Sequence, residues 1–212
     1  MKEGWATVLI GLLTALPLHA APSSAVTAFV DVNVVPMDRE RVLTRHTVIV
    51  RDGRIDSLGP ANQLAVPAEA QRVDGGGKTW LLPGLANMHT HVAGLEDAGL
   101  YLAGGVTTVL QMGGEGKVDP ILNLRASLSH GAMAPQILFA FMIDGPQPES
   151  GGWPVQSIEE ARFAVRVAKD RHYDFVKIYN GVKPEELDAI VDEARKTGLA
   201  VIGHGVRSPT AR

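Results

Sequence analysis

The chain has 212 residues, enough for one large domain or two smaller ones, and its composition of 45% hydrophobic and 20% charged residues is that of a globular protein. The formal net charge is −3, with acidic and basic residues interspersed, so the chain lacks the basic footprint of a nucleic-acid-binding protein. It contains no cysteine, which excludes disulfides and thiolate metal sites. Any metal must therefore rely on histidine, carboxylate or less usual ligands.

The N-terminus has the layout of a secretory signal peptide. Lys2 precedes an apolar run from Trp5 to Leu16, and Pro17 and an alanine-rich segment follow. This run is too short for a comfortable membrane span. We predict a signal peptide over residues 1–21, export to the periplasm or the exterior, and no stable membrane span after cleavage. The alternative is an uncleaved N-terminal anchor.

Residues 26–80 consist of short, alternating runs rich in β-branched residues, which predict strands. Asp52-Gly53 lies between Thr47–Arg51 and Arg54–Leu58 and is a strong signal for a tight hairpin. The segment Gly-Gly-Gly-Lys at 75–78 indicates a linker before a further strand. About four strands are too few for an independent sandwich, so we predict part of a small β-sandwich that needs strands from elsewhere.

Residues 81–212 change to a rhythm of strand and helix, with five short apolar strands alternating with four helices. Ser157 and Glu160 form a capping-box pattern at one helix start, and Pro184 and Gly198 bracket the last helix. Such alternation predicts an α/β fold with parallel strands joined by right-handed crossovers. Two architectures fit: a doubly wound open sheet, or a partial (β/α)₈ TIM barrel with about five of its eight strands.

His89 and His91 end the first strand of this second region, directly after an apolar run and a Pro-Gly pair. Residues two apart on a strand project to the same face, so both imidazoles converge on one point. The C-terminal ends of barrel strands are where catalytic sites assemble. The pair is a candidate metal site, and two half-exposed loop histidines are the alternative.

Lys177 lies in the strand Asp-Phe-Val-Lys-Ile-Tyr, which places Phe175, Lys177 and Tyr179 on one face. A charged lysine within an apolar strand carries a large desolvation cost, which shifts its amine toward neutrality. A neutral amine is a nucleophile that can form a carbamate with carbon dioxide. A lysine that extends to solvent at the strand end, or a Schiff-base lysine, fits the same pattern.

His204 ends the fifth strand between Gly203 and Gly205, whose small size leaves room for an ion or a substrate. A buried, hydrogen-bonded histidine is the plainer interpretation of this residue alone. His89, His91, Lys177 and His204 all fall at predicted C-terminal strand ends, which favours one shared site. A doubly wound binding module without metal would make Lys177 and His204 incidental.

The chain resembles the amidohydrolase superfamily, in particular its imidazolonepropionase- and prolidase-like branch. The resemblance runs from about Val26 to the end of the chain. It is carried by VIVRDGRIDSLGP, VDGGGKTWLLPGLANMHTHV, GGVTTVLQMGG, DFVKIY and GLAVIGHGVRSPTAR. It implies an N-terminal part of a composite β-sandwich followed by a TIM-barrel metal-dependent hydrolase domain.

The resemblance also implies a function and its residues. His89 and His91 would bind the more buried metal, carboxylated Lys177 would bridge two metal ions, and His204 would bind the second. The metal would be zinc, as a binuclear site, or another divalent ion. A metal-bridging hydroxide would hydrolyse a C–N bond in an amide, a lactam or an Xaa-Pro-type dipeptide.

The family pattern continues with a sixth-strand histidine and an eighth-strand aspartate, whereas this sequence ends after its fifth predicted strand. We therefore expect a truncated form of such an enzyme, and a non-catalytic fragment with partial metal binding is the alternative. Trp153, in the loop after the third strand, is a candidate for contacting a small-molecule substrate. The substrate and the oligomeric state are not encoded in any motif.

Overall fold

The structure is a computed structural model that describes residues 25–113, 118–148 and 151–204, with the side chains of 118–122 left out. The chain divides into two compact units, Met1–Pro83 and Gly84–Arg212. The predicted signal peptide, residues 1–21, lies outside the described residues. Within these ranges no helix combines the length and the apolar character needed to span a membrane.

The first unit is a small mixed sheet. Its described strands are β1 (Val26–Val34), β2 (Leu43–Arg51), β3 (Arg54–Pro60), β4 (Gln71–Asp74) and β5 (Trp80–Leu81). The order is β3-β2-β1-β4, and β5 also pairs with β1. β1, β2 and β3 are antiparallel neighbours, whereas β4 and β5 run parallel to β1. This agrees with the small sheet domain that the sequence predicts.

The Asp52-Gly53 turn sets the register of the β2–β3 hairpin. Both residues have positive φ, 51° and 74°, as a two-residue turn with the twist of the flanking strands requires. Arg51 accordingly pairs with Arg54 across the turn. Buried residues then alternate between the two faces of the sheet, with Ala28 and Ile49 in one small apolar cluster and Val32 and Val48 in another.

The second unit is a parallel sheet with helices between its strands. Its described elements are β6 (Leu85–Thr90), α1 (Leu95–Ala103), β7 (Val106–Gln111), α2 (Val118–Ser129), β8 (Gln136–Asp144), β9 (Trp153–Pro154), α3 (Ile158–Asp170), β10 (Phe175–Ile178), α4 (Pro184–Thr197) and β11 (Ala200–Gly203). The strand order is β11-β10-β8-β7-β6, and β9 adds a short pairing at the end of β8. Successive strands are therefore neighbours, as in a partial (β/α)₈ barrel rather than a doubly wound sheet.

Local sequence signals account for the helix ends. The Ser157 hydroxyl accepts a hydrogen bond from the backbone N–H of Glu160 at 3.2 Å and caps α3. Pro184 occupies the first turn of α4, and Gly198 ends this helix in the left-handed conformation at φ 72°. These caps fix where each chain segment turns back to the next parallel strand.

The two faces of the parallel sheet differ in packing. Outward residues such as Phe141, Val176 and Ile178 join the helices in one large buried cluster. The opposite face, here called the inner face, has a smaller cluster of Leu110, Met112 and Ala140, against which Phe175 and Ile202 pack. Lys177, one of the predicted metal ligands, lies on this inner face, where it pairs with Met142 and Ile202.

Candidate metal centre

His89 and His91 lie at the C-terminal end of β6, the first strand of the partial barrel. Their ring centroids are 5.5 Å apart, and the rings are tilted by 56°. Between them, Thr90 is buried and its hydroxyl donates to the Leu110 carbonyl at 2.9 Å. Asn87 of β6 pairs with Val109 of β7, and the next pair is Thr90 with Gln111. β6 therefore contains one more residue than β7 between these pairs, which is a β-bulge beside the histidine pair.

A backbone carbonyl fixes the orientation of His91. Nδ1 of His91 lies 2.8 Å from the Gly113 carbonyl oxygen, so Nδ1–H donates and Nε2 is left as the free ring nitrogen. Gly113 has φ 73°, and a Cβ there would lie 2.9 Å from the Cβ of Met142. A glycine is therefore needed at the end of β7 to bring this carbonyl to His91. Metal-binding histidines commonly donate their second N–H to such a carbonyl.

Lys177 is buried in β10, the fourth barrel strand, with only 2% of its surface exposed. β10 lies between β8 and β11, and Lys177 pairs with Met142 of β8 and Ile202 of β11. Burial lowers the pKa of its amine from the ordinary lysine value. Within the described residues no carboxylate forms a salt bridge with Lys177, and the contact of its Nζ is the Tyr179 ring, 5.5 Å from the ring centre.

His204 follows β11, the fifth barrel strand, and its backbone N–H donates to the Ile178 carbonyl at 2.9 Å. Its Nδ1 lies 3.3 Å from Oδ1 of Asn180, so Nδ1–H donates to the amide oxygen. The imidazole also stacks on Tyr179, with ring centroids 4.6 Å apart. The imidazole is thereby held on two sides, and Nε2 has no hydrogen-bond partner among the described residues.

The pKa of His89 responds to the other predicted ligands. Burial lowers the pKa of His89, and the charges of Lys177, His91 and His204 lower this pKa further. Lys177, His91 and His204 thus each act on His89 through space. The lowered pKa values of His89 and Lys177 favour their neutral forms, which are the forms that bind metal ions.

The donor set fits a divalent metal through its chemistry. His91 and His204 each keep Nε2 free, and Lys177 is a buried amine without a carboxylate partner among the described residues. In the described part of the chain, however, no group of three or more histidine, aspartate or glutamate side chains is close enough to hold a metal ion by itself.

The structure does not bring Trp153 to this group. Trp153 pairs with Ile143 through β9 and stacks on Phe141, with ring centroids 5.5 Å apart. Arg171 lies over the other part of the ring at 5.9 Å from its centre. Phe141 belongs to the helix-facing cluster, so Trp153 lies on the face of the sheet opposite Lys177. Its contact with substrate stays a prediction.

Three residues near the predicted ligands were not predicted as site residues. Tyr179 and Asn180 contact His204, and Asp144 accepts a hydrogen bond from the backbone of Gly181 in the same turn. Tyr179 shares the strand parity of Lys177, which is the signal that could have placed it there. Asp144 ends β8 two residues after Met142, the partner of Lys177, so it lies on the same face. Asn180 is in an irregular turn, where no periodic pattern predicts its direction.

Comparison with known proteins gives matches over parts of this chain. No protein-family model matches the chain. It is 49% identical over 45 residues to the imidazolonepropionase of Ralstonia nicotianae, a match over 21% of this chain and 11% of that protein. It is 34% identical over 91 residues to the imidazolonepropionase of a Bradyrhizobium species, a match over 41% of this chain and 22% of that protein.

Solved structures share the fold over most of the chain. Molinate hydrolase superposes with a TM-score of 0.72 at 21% identity, over 86% of this chain and 54% of that one. An Xaa-Pro dipeptidase with bound methionine gives a TM-score of 0.70 at 21% identity, over 85% of this chain and 57% of that one. This chain thus spans little more than half the length of these structures and a smaller share of the imidazolonepropionases.

The fold is that of a partial (β/α)₈-barrel protein preceded by a small sheet domain, as the sequence predicts. Together with the sequence matches to the two imidazolonepropionases, it relates this chain to the amidohydrolase superfamily, and the resemblance found in the sequence is confirmed.

Proposed function

We propose that this chain carries the metal-binding part of a hydrolase that acts on C–N bonds in amides, lactams or Xaa-Pro-type dipeptides. The observation that carries the proposal is the position of Lys177: a buried amine on the inner face, electrostatically coupled to His89 and one aromatic ring away from His204. A merely structural strand position would hold an apolar residue there. The relationship to the amidohydrolase superfamily supports the same assignment.

In this proposal His89, His91, His204 and carboxylated Lys177 would together hold a binuclear divalent-metal site. Zinc is the metal we expect, because nitrogen and oxygen donors suit it. A bound divalent metal supplies Lewis acidity to a substrate carbonyl and lowers the pKa of water.

Lys177 is suited to carboxylation by its burial, which lowers the pKa of its amine. The neutral amine attacks the carbon of carbon dioxide: an N–C bond forms, one C=O π bond opens and leaves its electron pair on oxygen, and one N–H proton passes to solvent. The product is an anionic carbamate in place of a potential cation. This change of sign removes the repulsion that Lys177 exerts on His89 and supplies oxygen ligands where nitrogen groups surround the site.

The first experiment measures zinc content and zinc-dependent hydrolysis in the purified full chain. Substrates are N-acyl amino acids and Xaa-Pro dipeptides, with His89→Ala as the matched inactive variant. Hydrolysis that needs zinc and is lost in His89→Ala supports the proposal. Zinc-independent hydrolysis, or a full chain that binds no zinc, contradicts it.

A second candidate function is partial metal binding without turnover. It is favoured by the finding that no three histidine or carboxylate side chains among the described residues form a ready metal cluster. The same experiment separates the two functions, because this candidate predicts bound zinc and no hydrolysis of either substrate class.

We further propose that the protein is exported, on the basis of the signal-peptide pattern in residues 1–21. Cell fractionation of the full chain, with N-terminal sequencing of the product, tests this. A mature N-terminus near Ala21 in the exported fraction supports export, and a product that keeps Met1 in the cytoplasm contradicts it.

A further inference from the structure

We infer that Asp144 is a positioning residue, which acts on the His204 imidazole through the turn Tyr179–Gly181. This inference rests on the proposed metal centre for its consequence, although the positioning itself can be tested without metal. The turn connects β10 to the helix that follows it, and it contains both of the residues that contact the His204 ring.

Asp144 holds the turn at one end. Only 3% of Asp144 is exposed, and its Oδ1 accepts hydrogen bonds from the backbone N–H groups of Gly145 and Gly181, each at 2.8 Å. One carboxylate oxygen thus joins the loop after the third barrel strand to the loop after the fourth. Hydrogen bonds to a carboxylate are stronger than those between neutral groups.

Two glycines allow these two loops to approach each other closely. A Cβ on Gly181 would lie 2.8 Å from Oδ1 of Asp144, and a Cβ on Gly145 would lie 2.3 Å from the Gly181 carbonyl oxygen. Any side chain at either position would push the two loops apart. The backbone N–H of Tyr179 adds a further tie at the strand end by donating to the Ile143 carbonyl at 2.9 Å.

The same turn holds the His204 ring at its other end. Asn180 accepts the Nδ1–H of His204 at 3.3 Å, and the Tyr179 ring stacks on the imidazole at 4.6 Å. The hydrogen bond selects the tautomer with a proton on Nδ1, which leaves Nε2 as the nitrogen that can bind a metal ion. If Asp144 releases Gly181, both contacts to His204 lose their support.

The experiment measures the tautomer of His204 in metal-free full chain by ¹⁵N NMR of the imidazole rings in mildly alkaline buffer. His204→Gln assigns the signals. We expect the Nδ1–H tautomer in the wild type, a mixture of tautomers in Asp144→Ala and Asn180→Ala, and near wild-type signals in Asp144→Asn. The asparagine keeps an oxygen at Oδ1 that accepts both N–H groups.

Asp174→Ala is the matched control, because Asp174 also accepts a backbone hydrogen bond, from Phe139 at 2.7 Å, at the opposite end of the strands. It should leave the His204 signals unchanged even if it lowers stability. Unchanged His204 signals in Asp144→Ala overturn the inference, as does an equal change in Asp174→Ala. Asn180 lies in a partly exposed turn, so Asn180→Ala decides the question if Asp144→Ala does not fold.

Titration with Co²⁺, followed by its visible absorption, gives the consequence for metal binding. We expect Asp144→Ala to weaken Co²⁺ binding about tenfold, as is typical when a residue behind a ligand is removed. If the wild type binds no Co²⁺, the proposed function fails, whereas the tautomer result still stands by itself. A loss of the Nδ1–H tautomer with unchanged Co²⁺ affinity overturns the role of Asp144 at the metal centre.

Discussion

Nζ of Lys177 lies 5.5 Å from the centre of the Tyr179 ring, and within the described residues no carboxylate forms a salt bridge with this lysine. An aromatic face offsets part of the cost of a buried cation, but less than a carboxylate partner would. Burial therefore disfavours the charged form of the Lys177 amine in the folded chain, which is consistent with its lowered pKa.

The first prediction concerns the stability of Lys177→Met in metal-free protein. Methionine fills a similar volume without a charge to desolvate, so we expect the free energy of unfolding at neutral pH to rise by about 1 kcal/mol. Urea denaturation of the second unit, followed by circular dichroism with EDTA present, measures the change. A variant less stable than the wild type contradicts the account of Lys177 as an uncompensated buried amine.

The lowered pKa of Lys177 also determines how the free energy of unfolding changes with pH. The pKa of Lys177 is lower in the folded chain than in the unfolded chain, where a lysine has its ordinary value of about 10.4. Between the two values the unfolded state binds more protons, so the wild type gains stability as the pH rises through that window. The advantage of Lys177→Met should shrink accordingly. Lys169→Met, at an exposed lysine of α3, should show no such dependence.

The second prediction is that His91→Ala removes most of the bound zinc. His91 is held by the Gly113 carbonyl through Nδ1, so under the proposed function its loss removes a metal ligand and not merely a hydrogen bond. We expect zinc affinity to fall by more than the roughly 10- to 100-fold that outer partners of a metal site contribute. Competition with a fluorescent zinc chelator measures this affinity.

His130→Ala is the matched control for this zinc measurement. Nδ1 of His130 lies 2.6 Å from the Ala126 carbonyl oxygen, so this exposed histidine has the same kind of hydrogen bond away from the inner face. Zinc affinity should not change in this variant. Equal losses in both variants would mean that the chain binds zinc nonspecifically through its histidines.

Sequence patterns predict that His89, His91, Lys177 and His204 lie at the ends of the first, fourth and fifth barrel strands, because strand parity and parallel order are local and repetitive properties. The period of two in β10 predicts that Lys177 and Tyr179 share a face, and the packing of Phe175 with Ile202 on that face agrees. The bulge beside His89 was not predictable, because it arises from pairing between β6 and β7 and not from either strand alone.

Contacts made by turns could not be predicted from the sequence, for a different reason. The bond between Asp144 and Gly181 spans two loops, and the direction of Asn180 depends on the tight approach of two glycines. Trp153 shows the same limit: its loop follows the third strand, but the short pairing with Ile143 turns its ring to the helix-facing side. Periodicity assigns faces within strands, and loop directions follow only from the packed structure.

The third prediction compares two glycines with positive φ. Gly203 has φ 122°, and a Cβ there would lie 2.3 Å from the Ile178 carbonyl oxygen and 3.0 Å from Cγ of Lys177. Gly203→Ala should lower the free energy of unfolding by about 3 kcal/mol, through backbone strain and overpacking together. It should also weaken zinc binding, because Lys177 and the adjacent His204 are displaced.

Gly198→Ala is the control for backbone strain. Gly198 has φ 72°, and a Cβ there meets no atom within 4 Å among the described residues, so alanine should cost only about 1 kcal/mol and leave zinc binding unchanged. Urea denaturation and zinc titration of both variants make the comparison. If Gly203→Ala is no more costly than Gly198→Ala, the close approach of β11 to Lys177 is not present in solution.

The last prediction concerns the carbamate on Lys177. Full chain incubated with zinc and ¹³C-bicarbonate should give a carbamate carbon signal by NMR, and Lys177→Ala should lack it. In Lys177→Ala the repulsion that lowers the pKa of His89 is also reduced, so the histidines can still bind one zinc ion.

A bridging carbamate further predicts that a short carboxylic acid, such as propionate, restores the second zinc equivalent by placing its carboxylate in the vacated space. Restoration in Lys177→Ala with no effect of propionate on His91→Ala supports the bridge. A wild type that binds two zinc ions without any carbamate signal shows that Lys177 serves the site in another way.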